Sequence, residues 1–297
     1  MKVLVTGATG FLGRHLTKML EQKQWEVFIS NTSKANLMSD KNLHIYNDIK
    51  FDYIFHLAAH TKAGDYCLYH KGEQFEINQR INSNILKYWN DQQPQAKMVA
   101  MGTSCSYSPE LPMVEENYLK GDPEEGLYTY AMTKRMLLVG LKSYAEQYGL
   151  KWVYFVPSTL YGPYFEEWDN HFIFDFIKNC YQAKFKNKEF TIWGDGTARR
   201  ELIYIEDACN LMFKFLNAEN EIFNLGGGKD HSINDFAKYV CEGFQFDYNL
   251  IERDLTKYVG VKSKLLDIKK IAEYNMTSLD KGLKKTIDWY IDQKNEQ

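Results

Sequence analysis

The chain has no apolar run near the roughly 18 residues a membrane-spanning helix requires, so nothing in it reads as a bilayer segment. It has no surplus of either charge. Its 36 basic and 39 acidic residues leave a formal net charge of −3, without the basic footprint of a nucleic-acid binder. Its five cysteines, at 67, 105, 180, 209 and 241, include no C-x-x-C pair and are odd in number. They read as reduced thiols rather than a disulfide framework, and no metal site is expected. The N-terminus runs straight into an apolar strand with no room for a signal peptide, so the expected location is cytoplasmic. There is no internal repeat and no low-complexity tract. Aromatic residues, by contrast, make up 15% of the 297 residues, as a bulky core or an aromatic-lined cleft would need.

The first pattern with chemical content is at the start. Lys2-Val3-Leu4-Val5-Thr6 reads as a buried strand. It is followed at once by Gly7-Ala8-Thr9-Gly10-Phe11-Leu12-Gly13, and then by Leu16, Met19 and Leu20 at helical spacing. Strand, Gly-x-x-Gly-x-x-Gly and helix in that order form a dinucleotide cradle. The loop turns tightly, lets the backbone approach a pyrophosphate and aims helix N–H groups at its charge. Cofactor contacts are therefore expected at Gly7, Thr9, Gly10, Phe11, Leu12 and Gly13.

Glu26-Val27-Phe28-Ile29-Ser30 is the second strand. An acid at its end would grip the ribose of NAD, yet residues 30–34 read Ser-Asn-Thr-Ser-Lys. With Asn31 and Lys34 in that place, NADP(H) is favoured and NAD(H) remains possible. Leu43-His44-Ile45-Tyr46 suggests a third strand, and Asp48 either touches adenine or caps a turn. Tyr53 to Ala59 is another buried strand. Its small ending, Leu57-Ala58-Ala59, permits close approach of the cofactor. On the helix that follows, Ile77, Ile81, Ile85 and Trp89 form the buried stripe, with Asn78 and Asn84 beside it.

The stretch from Gly102 to Lys134 carries the chemistry. Thr103-Ser104-Cys105 emerges from the apolar run 97–101, and Tyr130 and Lys134 are one helical turn apart. A phenol has a pKa of about 10, and a lysine ammonium one turn away would lower it. Thr103 would hold a substrate oxygen against that phenol, which together make a set for reducing a carbonyl. Trp152 to Pro157 is a further buried strand, placing Pro157 at the carboxyl edge where open α/β sheets bind ligands. Strands alternating with helices argue for a doubly wound parallel sheet, an α/β Rossmann fold. The expected division is a dinucleotide-binding domain over 1–160 and a smaller substrate lobe over 161–297, with some segments returning to the first domain.

These pieces together resemble the extended short-chain dehydrogenase/reductases, the NAD-dependent epimerase/dehydratase family acting on nucleotide sugars. The likeness rests on Gly7/Gly10/Gly13, His56 to Ala59, Asn78, Thr103, Tyr130/Lys134, Tyr161-Gly162-Pro163 and Arg200-Glu201. Thr103-Ser104-Cys105, Asn170-His171 and Trp193 to Thr197 are most similar to its GDP-L-fucose synthase branch. The resemblance implies that Cys105 and His171 are an acid/base pair epimerising the sugar beside its ketone, and that Tyr130 protonates O4 as hydride arrives. It also implies substrate contacts at Thr103, Ser104, Asn170, His171, Trp193 and Arg200, the last clamping a diphosphate. Asn78 and Pro157 join the cofactor set, and helices around 78–90 and 130–148 would form a homodimer. The C-terminal part reads as shorter than in a full synthase. Reduction of C4 without epimerisation, an NAD-retaining 4-epimerase or 4,6-dehydratase, and a non-catalytic dinucleotide sensor are the other readings.

Overall fold

A computed structural model describes residues 1–61, 66–169 and 171–296. In chain order the elements are β1 (Lys2–Thr6), α1 (Phe11–Gln22), β2 (Glu26–Ser30), β3 (Tyr53–His56), α2 (Tyr66–Tyr69), α3 (Lys71–Gln92), β4 (Lys97–Met101), α4 (Tyr128–Tyr148), β5 (Trp152–Pro157) and β6 (Thr159–Tyr161). There follow α5 (Phe172–Lys186), β7 (Thr191–Trp193), β8 (Arg199–Tyr204), α6 (Ile205–Lys214), β9 (Glu221–Leu225), β10 (Asp230–Ser232), α7 (Ile233–Phe244), β11 (Glu252–Asp254) and α8 (Leu279–Asn295).

Six strands make one parallel sheet in the order β2-β1-β3-β4-β5-β9. Its strands are apolar on both faces because both faces are covered. Period-2 alternation sends Leu4, Ile54, Met98, Trp152 and Tyr154 into one core with Ile85 and Trp89 of α3 and Leu137 and Leu141 of α4. The alternate residues Val3, Val5, Phe55, Val99, Val153 and Phe155 pack with Leu16 and Leu20 of α1 and Leu211 and Met212 of α6. The doubly wound sheet expected from the sequence is therefore present. The distant segment 221–225 returns to it as the strand beside β5.

Sheet growth reverses between β2 and β3, which lie on opposite sides of β1. That places a crevice at the carboxyl ends of β1 and β3. A third core holds α5, α7 and α8 around Phe165, Phe174, Phe190, Phe236 and Tyr290, with two small sheets, β10-β8-β6 and β11-β7, at its edge.

Two sequence expectations need correction. Residues 43–46 are not a strand; Asp40–Tyr46 is a 3-10 helix. Leu43 and Tyr46 are buried while Ile45 is 61% exposed, so a period of three prevails over a period of two. The Tyr46 hydroxyl, donating to Ile29 O at 2.5 Å, fastens this turn under β2. On α4, Met136 and Tyr148 face outward, 42% and 50% exposed, so the buried stripe is narrower than the full set of apolar residues. No helix among the described residues is long and apolar enough to cross a membrane.

Candidate active site

The three glycines of the first loop are required for different reasons. Gly7 has φ +69°, and a Cβ there would lie 2.7 Å from Ala58 N. A Cβ on Gly13 would lie 2.1 Å from Gly7 O. Packing within the protein thus forbids a side chain at either. At Gly10 the nearest atom to a Cβ would be Gly7 O at 3.4 Å, an ordinary contact. The protein leaves that space open, and it lies at the start of α1, where Gly10 caps without a side-chain bond and the first turn holds no acid. Unpaired N–H groups at a helix start with room before them suit a pyrophosphate, so the residues fit a dinucleotide. Thr9 is exposed beside this space, and Phe11 and Leu12 are half-buried. Leu57, Ala58 and Ala59 form the adjoining wall, all partly accessible.

At the end of β2, Asn31 Oδ1 accepts from Ser33 N, Ser33 Oγ and Lys34 N at 2.8 to 3.0 Å. The turn is closed by its own side chain, without a carboxylate. Lys34 is exposed with its ammonium 5.7 Å from the Tyr46 ring centroid, and Asp48 is exposed after the 3-10 turn. Asn78 is buried and bridges His60 N at 2.8 Å and His60 O at 3.1 Å, so it shapes the loop after β3. Pro157 ends β5, and next to it the buried Ser158 Oγ has no partner.

The turn bearing Cys105 is locked to the helix bearing Tyr130. Thr103 caps it, its Oγ1 accepting from Cys105 N at 3.3 Å. Ser106 Oγ donates to Ala131 O at 3.1 Å. Arg135, buried in α4, donates to Ser106 O, Gly121 O and Lys120 O at 2.9, 2.7 and 3.0 Å. Ser104 is buried within the turn, and Thr103 and Cys105 remain partly accessible. Gly102 admits this arrangement because a Cβ there would collide with Tyr154 Cε1 at 2.6 Å and Tyr118 Oη at 2.7 Å. Those two phenols, 3.1 Å apart, continue to Lys134 O through Tyr154 at 2.8 Å.

The expected tuning of Tyr130 takes a different form. Its phenol pKa lies above the ordinary value, raised first by burial and then by Cys105, Tyr118 and Cys67. Lys134 Nζ is buried and donates to Met101 O at 2.9 Å, and desolvation brings its pKa down to about 8. Tyr130 is thus held as a protonated phenol, suited to giving a proton, and the ammonium is fixed at the end of β4.

His171 stands at the start of α5, exposed by surface area. Its ring is 6.3 Å from Phe174, which meets Phe11 of the glycine loop edge-on at 5.0 Å. Desolvation lowers the His171 pKa, against Asp169 and Asp175; its open surface makes this a weaker influence than on a core histidine. Trp193 is 44% exposed, with Lys257 Nζ 5.3 Å from its centroid. Arg200 donates to Arg199 O, Val261 O and Val259 O at 2.7 to 2.8 Å. In this structure it staples the 259–261 loop rather than offering an open fork. Asn170 lies outside the described residues.

Several contacts at the site carried no sequence signal. His56 and Asn82 form a buried chain, with Ala58 N donating to Thr6 Oγ1 at 3.2 Å and Thr6 Oγ1 lying 2.9 Å from His56 Nδ1. His56 Nε2 reaches Asn82 Oδ1 at 3.2 Å, and Asn82 Nδ2 donates to Thr133 O at 3.2 Å. Every group is satisfied with a neutral imidazole protonated on Nε2. Burial agrees, lowering the His56 pKa to about 4. No sequence motif marks Arg135. Glu124 and Lys264 pair at 3.3 Å, joined by Tyr258, whose hydroxyl donates to Glu124 Oε1. Lys264 Nζ donates to Cys105 Sγ at 3.5 Å. A contact between residues 124 and 264 is invisible to any local pattern.

Among known proteins, the chain is 28% identical to GDP-L-colitose synthase of Yersinia pseudotuberculosis, covering 99% of both chains. It is 29% identical to GDP-L-fucose synthase of Dictyostelium discoideum, over 98% of this chain and 95% of that one. Among solved structures, a GDP-L-fucose synthetase from Naegleria fowleri bound to NADP superposes with a TM-score of 0.85 at 22% identity, covering 99% of this chain and 95% of that one. The NAD dependent epimerase/dehydratase family model matches residues 3–226. With that match over the glycine loop, the Cys105 turn and the Tyr130 helix, the chain belongs to the NAD dependent epimerase/dehydratase family.

Proposed function

We propose that this protein is an NADPH-dependent epimerase/reductase of a GDP-linked 4-keto-6-deoxy sugar. The observation that carries this reading is the locking of the Cys105 turn onto the Tyr130 helix by Thr103, Ser106 and Arg135. That junction joins the turn carrying the thiol to the helix carrying the phenol, which supports a shared site at the carboxyl edge of the sheet. Gly10 and Leu57–Ala59 would hold NADPH, which would provide the hydride for the C4 carbonyl; Asn31 and Lys34, with no acid among residues 30–34, favour the 2′-phosphate form.

The residue roles follow from chemistry. Protons beside a ketone are acidic enough for a positioned base. Cys105 as thiolate takes one, forming S–H as the C–H bond breaks and leaving the electron pair on the enolate oxygen. His171 returns a proton from the other face, which inverts the centre. Thr103 and Ser104 hold the keto oxygen, and Tyr130 protonates it as C4 is reduced. We assign Trp193 and Arg200 to the nucleotide side of the sugar. We assign residues 1–160 to dinucleotide binding and 161–297 mainly to the sugar nucleotide, and infer a homodimer through α3 and α4.

The test is incubation with GDP-4-keto-6-deoxymannose and NADPH in deuterated water. NADPH oxidation with deuterium at C3 and C5 is expected. Oxidation without deuterium leaves a plain C4 reductase, and the absence of oxidation overturns the reading. Purified protein retaining bound NAD(H) would instead favour an epimerase that recycles its cofactor.

A further inference from the structure

We infer that Lys264 is the positioning residue for Cys105, holding an ammonium against its sulfur so that the thiol is presented as thiolate. The inference rests on the proton-transfer role proposed above for Cys105. Lys264 Nζ lies 3.5 Å from Sγ, and its side chain is only 14% exposed. A cation that close, with little water between, favours the charged form of sulfur.

The aim of this side chain is built from both directions along the backbone. Before it, Lys262 O accepts from Arg199 N at 2.8 Å, and Ser263 Oγ donates to Asp230 Oδ2 at 3.0 Å. After it, Leu266 N donates to the buried Glu201 Oε2 at 3.1 Å, and Asp267 N to Met113 O at 3.0 Å. Four anchors within six residues leave the chain little freedom at 264. A surface lysine that merely finds a carboxylate has no such support.

Glu124 completes the arrangement. Among the described residues its Oε2 accepts no hydrogen bond but pairs with the Lys264 ammonium at 3.3 Å, while Tyr258 donates to Oε1. The ammonium therefore sits between a carboxylate and a thiol. A loop more than a hundred residues away in sequence thereby reaches the β4 turn.

Alkylation of the intact protein with iodoacetamide at pH 7, read for each cysteine by peptide mass spectrometry, tests this without any sugar substrate. Lys264→Met is expected to slow Cys105 modification at least about five-fold, and Lys264→Arg to restore it to within about two-fold of wild type. At pH 10, where the thiol is ionised either way, the wild-type and Lys264→Met rates should converge, as they would not if the change were only structural. Equal Cys105 rates at pH 7 in wild type and Lys264→Met overturn the inference. Should Lys264→Met loosen the fold, the buried Cys67, Cys180, Cys209 and Cys241 would become reactive. Lys264→Gln, which keeps a donor for Glu124 without the charge, then decides by the same criterion. In deuterated water, exchange at C3 and C5 should fall in step with the Cys105 alkylation rate across these variants. A wild-type protein that exchanges no deuterium defeats the proposed epimerisation and leaves the alkylation result standing.

Discussion

His56 Nε2 lies 3.2 Å from Asn82 Oδ1, fully out of solvent, and ties the strand below the glycine loop to the helix that carries Lys134. The pair operates only with a neutral imidazole. His56 has a folded pKa of about 4 against 6.5 for the free side chain. A histidine depressed in this way binds fewer protons folded than unfolded between those values. Stability is therefore fully present above pH 6.5 and is lost as pH falls toward 4. The loss is on the order of 3 kcal/mol. Urea unfolding at pH 7 and pH 4.5 should show it, and His56→Gln should flatten the difference.

Asn82→Ala removes one acceptor and one donor from the same chain, leaving His56 Nε2 buried without a partner and Thr133 O with its helical bond alone. A loss of about 1–3 kcal/mol is expected. The midpoint of denaturant unfolding should fall with an unchanged slope.

The glycine loop separates folding from binding. Gly13→Ala places a methyl 2.1 Å from Gly7 O, a backbone atom that cannot step aside. It should destabilise the protein by several kcal/mol, about 2 or more. Gly10→Ala, with 3.4 Å of clearance, should fold with a melting temperature within about 2 °C of wild type and yet lose NADPH affinity at least about ten-fold, equivalent to about 1.4 kcal/mol. Thermal melts beside cofactor fluorescence titrations check both. A Gly10→Ala protein that binds NADPH normally would remove the pyrophosphate from this site.

Tyr130→Phe keeps the ring and deletes the proton donor. The rate of NADPH oxidation with keto sugar should fall by roughly 10²-fold or more, while cofactor binding and melting temperature stay close to wild type. Equal losses in binding and turnover would mark Tyr130 as structural.

Arg135→Lys tests the lock between the Cys105 turn and α4. One ammonium cannot reach all three carbonyls that the guanidinium spans. A loss of about 1–2 kcal/mol is expected, largest if the buried Ser106 O loses its donor, since Lys120 and Gly121 are exposed, together with a fall in turnover as the turn loosens. Denaturant unfolding and steady-state kinetics measure the two separately.

The local patterns of the chain determined the fold and the tight turn onto α1. Continuous apolar runs such as Val3-Leu4-Val5 and Trp152 to Val156 require a strand covered on both faces, and a strand leading into Gly7, Gly10 and Gly13 permits little besides a turn onto a helix start. Tyr130 and Lys134 share a helix, so their spacing was legible as well. Short amphipathic stretches were less so. Leu43 to Tyr46 fits two periods, and only the space under β2 decided for the 3-10 turn. The charge environment was decided entirely by tertiary structure, since desolvation and partners at long range depend on what the chain packs against itself. That is why Lys134 spends its ammonium on Met101 O, why Arg200 holds a loop, and why Lys264, 159 residues from Cys105, faces its sulfur.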